Sequence, residues 1–176
     1  MKVAIVIAIL LIGVLFGFFI VGLTPVGMMV YQGKEKLDAK DLSMVPYLDT
    51  GGFFQVAIDV DENNIYLYSG CRRLVMITNE FQTKSISDGL DGKLDFRPNS
   101  HDAIKSIMET FEMETLMVKI THLEQGAYFA RIFLLQDTRI LNLDIRPTDA
   151  IAIAARTGAP IYVSQNLLEE QGEIIC

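Results

Sequence analysis

The segment 127–163, AYFARIFLLQDTRILNLDIRPTDAIAIAARTGAPIYV, constrains the chain more than any other. Two runs rich in apolar residues, AYFARIFLL and RILNLDI, flank QDT, and a two-residue loop at Asp137 and Thr138 predicts a β-hairpin. That loop fixes a register, which a longer loop would slip. Gln136 meets Arg139, Leu134 meets Leu141, Ile132 meets Leu143 and Ala130 meets Ile145 on a face that reads as core. The opposite face sets Leu135 against Ile140, Phe133 against Asn142, Arg131 against Asp144 and Phe129 against Arg146. An opposed charge pair such as Arg131 and Asp144 favours this pairing over its neighbours, and a one-residue slip would turn every side chain to the wrong face.

A helix and another strand follow at once. Pro147 suits a first helical turn, Thr148 or Asp149 brings an oxygen or a negative charge to its N–H groups, and Gly158 and Pro160 end it before the strand PIYV. Arg146 fits this scheme poorly, because a cation beside a helix N-terminus opposes the macrodipole. It calls for an anion: Asp144, Asp149 or the phosphate of a ligand. A guanidinium next to helix N–H groups points to phosphate recognition, and the neighbouring carboxylates to a divalent metal, Mg²⁺ or Mn²⁺.

Upstream, FFQVAIDV and IYLYSG flank the turn-forming DENN and predict a second hairpin, with RLVMIT as a third strand. NEFQTKSISDGL reads as a helix with Asn79 as its cap. RPNSHDAIKSIMETF reads as another, capped by Ser100 or Asn99, with Ile104, Ile107, Met108 and Phe111 as the apolar stripe. TLMVKITHL returns to strand. The expected fold class is therefore α+β, a mainly antiparallel sheet with packed helices, preceded by one N-terminal transmembrane helix.

That last expectation rests on residues 3–23, which are all apolar or Gly and match the roughly 20 residues needed to span a bilayer core. The run is longer than the apolar region of a signal peptide, and no A-x-A-like cleavage site follows. It also explains why 51% of the residues are hydrophobic and the mean hydropathy is +0.32. The expected organisation is an anchor over 1–31, a linker over 32–52 and a folded domain over 53–176. Lys34, Lys36 and Lys40 follow the span and only Lys2 precedes it, which predicts a single-pass membrane protein with its domain in the cytoplasm. Beyond the span, 14 Lys and Arg face 22 Asp and Glu, a net charge of −8. So acidic a domain lacks the bulk attraction that drives non-specific nucleic-acid binding, and a nucleic-acid partner needs a local basic patch or a bridging metal. Cys71 and Cys176 show no metal-ligand spacing; two thiols suit a reducing cytosol, and a disulfide between them stays open.

LDIRPTDAIAIAARTGAPIYV, together with SHDAIKSIMETF and AYFARIFL, resembles the core of the bifunctional nuclease family over roughly residues 53–172, through R-P-[ST]-D-A-I and G-A-P-I-[YF]-V. The resemblance implies action on RNA and DNA, as described for plant members. Residues matching the family pattern are His101, Asp102, Arg131, Asp144, Arg146 and Asp149. One departure stands out: members commonly carry a segment like LPIWIG...FEAEAI, aligning without gaps on LVMITNEFQTKSI, and where it supplies two Glu this chain has Gln82 and Lys84. Two functions follow. In the first, a membrane-tethered nuclease hydrolyses phosphodiester bonds, with Arg131, Arg146, Asp149 and His101 as catalytic residues and Asp144 and Asp149 as metal ligands. In the second, the same residues form an ion-pair network on a non-catalytic binding or regulatory module. The partners expected are nucleic acid and the membrane, with an oligomer left open.

Overall fold

The computed structural model of the chain describes residues 45–176. After a 3₁₀ turn (Pro46–Leu48) come β1 (Phe53–Gln55), β2 (Ala57–Asp61), β3 (Asn64–Ser69) and β4 (Arg72–Ile77), then helices α1 (Glu80–Leu90) and α2 (Ser100–Thr110). The long strands β5 (Met113–Glu124), β6 (Ala127–Gln136) and β7 (Arg139–Ile145) lead into α3 (Pro147–Thr157), β8 (Ile161–Ser164), α4 (Gln165–Gln171) and β9 (Glu173–Ile174). Two sheets result, ordered β1-β8-β5-β6-β7 and β2-β3-β4-β9. Every strand pair is antiparallel except β5 with β8, so the expected α+β class stands with one parallel pairing added. The expected transmembrane helix lies outside the described residues. Among the described residues no helix is long and apolar enough to cross a membrane.

The β6–β7 ladder follows the register read from the sequence, from Ala130 opposite Ile145 to Gln136 opposite Arg139. Asp137 takes a φ of 53° in the two-residue loop, the left-handed first position that lets a tight turn follow the strand twist. One face of this ladder feeds the main core, where Val118, Ile120 and Ile132 meet Ile65, Leu67 and Leu74 of the other sheet, Ile86 of α1 and Ile151 of α3. Each is at most 1% exposed, and such burial contributes about 1.5–3 kcal/mol per side chain. Phe133, Leu135 and Ile140 face the other way and are covered by Val45 and Leu48, so the end of the expected linker packs on the domain. Lys119 fastens it there: its Nζ donates to the carbonyls of Tyr47 and Asp49 and lies 4.8 Å from the Phe53 ring centre. Burial pushes this ammonium below the usual lysine range.

Two expectations need correction, and one open alternative is decided. FFQVAIDV is not one hairpin strand: it breaks at buried Val56, whose N–H donates to the Ile161 carbonyl at 3.0 Å, so β1 joins β8 in one sheet and β2 joins β3 in the other. Of the expected α2 stripe only Met108 is buried, while Ile104, Ile107 and Phe111 are 37%, 54% and 58% exposed. The helix is turned by Asp102, which it buries against α3. Finally, Cys71 and Cys176 are joined in a disulfide, 5.3 Å between Cα atoms and 105 residues apart in sequence. It secures β9 against β4, where Arg73 Nη2 also meets Glu173 Oε2 at 2.6 Å.

Candidate functional site

The site is built where α1, α2 and α3 converge. In α2 the Asn99 Oδ1 accepts the backbone N–H groups of His101 at 2.8 Å and Asp102 at 3.1 Å, and Asp102 Oδ2 accepts the Asn99 N–H at 2.8 Å. This reciprocal cap fixes the first turn and places His101 at its second residue. The other Asp102 oxygen accepts from Arg156 Nε at 2.6 Å. Arg156, only 4% exposed in its side chain, also donates through Nη1 to the carbonyls of Ser85 at 2.8 Å and Ala152 at 2.9 Å, tying all three helices together. The tight approach depends on Gly89: a Cβ there would stand 2.8 Å from Arg156 Nη1 and 3.1 Å from the Ala155 Cβ. Burial alone would raise the Asp102 carboxyl, but the hydrogen bonds from Arg156 and the Asn99 N–H outweigh it and hold the group below the ordinary aspartate value.

On this frame His101 Nε2 comes 3.4 Å from Asp149 Oδ1, with the side chains 13% and 36% exposed. His101 Nδ1 lies 2.9 Å from Ser85 Oγ. Asp149 and Thr148 do not cap α3, contrary to expectation. The N-cap is Arg146, which makes no side-chain cap bond; its carbonyl receives the N–H groups of Asp149 and Ala150. Pro147 takes the first helical position, where its missing N–H costs nothing, and the side chains that follow it turn elsewhere: Asp149 faces His101, and Thr148 Oγ1 accepts from Gln82 Nε2 at 3.1 Å. Asn79 Nδ2 in turn donates to Gln82 Oε1 at 3.0 Å. Of the two positions that depart from the family pattern, then, 82 touches the site. Lys84 points away, to Asp88 and Asp95.

The remaining expected residues divide. Arg146 is exposed beside this turn, and among the described residues no carboxylate pairs with it. Arg131 and Asp144 are cross-strand partners as expected, yet the Arg131 Nη1 donates to Asn142 Oδ1 at 3.2 Å. Both belong to the face shared with Phe133, away from the helices, whereas Asp149 sits in the helix layer. The structure thus joins His101 to Asp149 and does not bring Asp144 to Asp149. Among the described residues no three His, Cys, Asp or Glu side chains gather closely enough to hold a metal ion. The described residues do not by themselves make up a metal centre. Sequence reasoning missed Ser85 and Arg156. Arg156 reads locally as a cation complementing a helix C-terminus, and nothing in its neighbourhood announces a partner 54 residues upstream.

These elements define a two-sheet α+β domain with an imidazole and a carboxylate facing each other at a helix N-terminus. The chain belongs to the bifunctional nuclease domain family, which matches residues 68–175. It is 33% identical over 79 residues to an uncharacterized protein of Mycobacterium tuberculosis, covering 45% of this chain and 46% of that protein. It is 33% identical over 79 residues to Bifunctional nuclease 1 of Arabidopsis thaliana and 34% identical over 79 residues to Bifunctional nuclease 2 of Oryza sativa subsp. japonica. Each of these alignments covers 43% of this chain and 24% of the relative. The chain spans less than half the length of these curated relatives.

Proposed function

We propose that this domain is a nuclease, hydrolysing phosphodiester bonds of RNA or DNA at the junction of α2 and α3. The observation that carries this reading is the His101–Asp149 pair, 3.4 Å apart and partly exposed at the start of α3. Phosphodiester hydrolysis needs a group to orient or deprotonate water and a donor for the charge growing on the phosphate. Asp149 and His101 supply polar groups of both kinds, and Arg146 offers a fork that matches a phosphate. A second reading, a non-catalytic binding module, is favoured by Gln82, an amide where the family pattern has a carboxylate, and by the acidity of the chain, −7 overall. The deciding experiment is cleavage of single-stranded RNA and DNA by the full chain, in Mg²⁺, in Mn²⁺ and with a chelator, beside His101→Ala and Asp149→Ala. Cleavage lost in both variants supports the nuclease. A wild type that cleaves neither substrate under any of these conditions leaves the binding module.

A further inference from the structure

Resting on the reading above, we infer that Ser85 locks His101 as the tautomer with its proton on Nε2, so that the imidazole faces Asp149 and the substrate as a hydrogen-bond donor, and Asp149 is the group that accepts a proton from water. Neither Ser85 nor this division of roles follows from the family match.

The inference begins at Asn99. Its Oδ1 accepts two backbone N–H groups, which fixes the orientation of the amide and leaves Nδ2 as the atom facing Ser85 Oγ at 3.4 Å. Arg156 Nη2 approaches the same oxygen at 3.3 Å. Amide nitrogen and guanidinium can only donate. Of the three groups that reach Ser85 Oγ among the described residues, only His101 Nδ1, at 2.9 Å, can accept. The Ser85 hydrogen therefore goes to Nδ1, and the ring proton sits on Nε2, beside Asp149 Oδ1. Turning the ring over would put carbon atoms against both partners.

The consequence is chemical. A general base must offer a bare nitrogen to the proton it takes. The bare nitrogen of His101 is Nδ1, turned inward against Ser85, which is only 9% exposed. Putting a proton there would make Ser85 Oγ accept it with two donors already aimed at that oxygen, one of them the Arg156 cation. The outward Nε2–H can instead orient the Asp149 carboxylate or donate to a phosphate oxygen. In the hydrolytic step Asp149 takes a proton from water, the water oxygen bonds to phosphorus, and the P–O bond to the departing nucleotide breaks with its electron pair leaving on the nucleotide oxygen, which takes up a proton from solvent. Ser85 is a positioning residue: enclosed and saturated with donors, it is no nucleophile.

The chain has two histidines, His101 and His122, so ¹⁵N-imidazole NMR of the full chain with labelled histidine resolves them, and His101→Gln assigns the pair. The expected spectrum shows a protonated, pyrrole-type Nε2 and a bare, pyridine-type Nδ1 for His101, and Ser85→Ala mixes the two tautomers. A pyrrole-type Nδ1 in the wild type overturns the inference whether or not Ser85→Ala folds. In cleavage assays His101→Gln, which keeps an N–H donor, should retain at least tenfold more activity than His101→Ala, while Asp149→Asn falls to the level of Asp149→Ala. Equal loss in His101→Gln and His101→Ala assigns proton transfer to His101 and overturns the division of roles. Absence of cleavage by the wild type would overturn the nuclease reading alone, and the tautomer would still decide the lock.

Discussion

Arg156 and Asp102 form an ion pair at the meeting point of three helices, Nε to Oδ1 2.6 Å, with side chains 4% and 9% exposed. Removing one partner from a buried pair strands the other charge, which costs about 3–5 kcal/mol, whereas replacing both with apolar groups of similar volume is often neutral. Arg156→Met should therefore destabilise the chain by that amount, and Arg156→Met with Asp102→Leu should recover much of the loss. Denaturant unfolding of the wild type, both single variants and the double variant closes the cycle. Equal stability of Arg156→Met and wild type would show that the pair holds nothing together.

The same aspartate gives the fold an acid limit. Hydrogen bonds from Arg156 and the Asn99 N–H hold the folded Asp102 below its ordinary value, against the opposing effect of burial. A carboxyl depressed on folding contributes stability that is complete above the unfolded value, about 3.9, and is lost as pH falls through the folded value. Stability should drop below about pH 4, and Asp102→Asn, although less stable at neutral pH, should show a flatter acid slope. Unfolding midpoints measured between neutral pH and strong acid test this; parallel curves would remove Asp102 as a source of the acid limit.

Cys71 and Cys176 close a long loop, and the bridge secures a final strand of two residues. Loss of such a cross-link typically costs about 2–5 kcal/mol, so Cys176→Ser should lower the melting temperature and free the C-terminus for proteolysis. The bond also bears on placement, since disulfides persist in oxidising surroundings and are rare in the cytosol. Alkylation of the full chain in intact cells, before and after reduction, should reveal two thiols only after reduction. Thiols reactive without reduction would favour the cytoplasmic placement read from Lys34, Lys36 and Lys40.

What the sequence discloses follows from how local each cause is. The β6–β7 register is legible because a two-residue turn and a period of two determine it, and Arg131 opposite Asp144 confirms it. The ends of α3 are legible too, with Pro147 at its start and Gly158 in the left-handed conformation at its close. The break at Val56 is not legible, because its cause is a hydrogen bond to Ile161 from a distant strand. Helix α2 misleads in the same way: Ile104, Ile107, Met108 and Phe111 have core spacing, yet Asp102 wins the inward position through Arg156. Within the site, His101, Arg146 and Asp149 stand out as residue types in a motif. Ser85 is invisible until three helices surround it.

Arg146 gives the sharpest test of the proposed chemistry, because its structural and catalytic roles now separate. It is exposed, makes no side-chain cap bond, and has no carboxylate partner among the described residues. Substitutions at such surface positions usually stay within about 0.5 kcal/mol, and removing a cation from a helix N-terminus relieves an unfavourable interaction with the macrodipole. Arg146→Ala should accordingly unfold at or slightly above the wild-type temperature. Its cleavage should nevertheless fall about a hundred- to a thousandfold, the loss seen when one preorganised donor is removed from a developing oxyanion. Arg146→Lys should fall between the two, since an ammonium keeps the charge and loses the two-pronged contact with phosphate. Wild-type cleavage by Arg146→Ala would place this guanidinium outside the reaction and leave His101 and Asp149 to carry it.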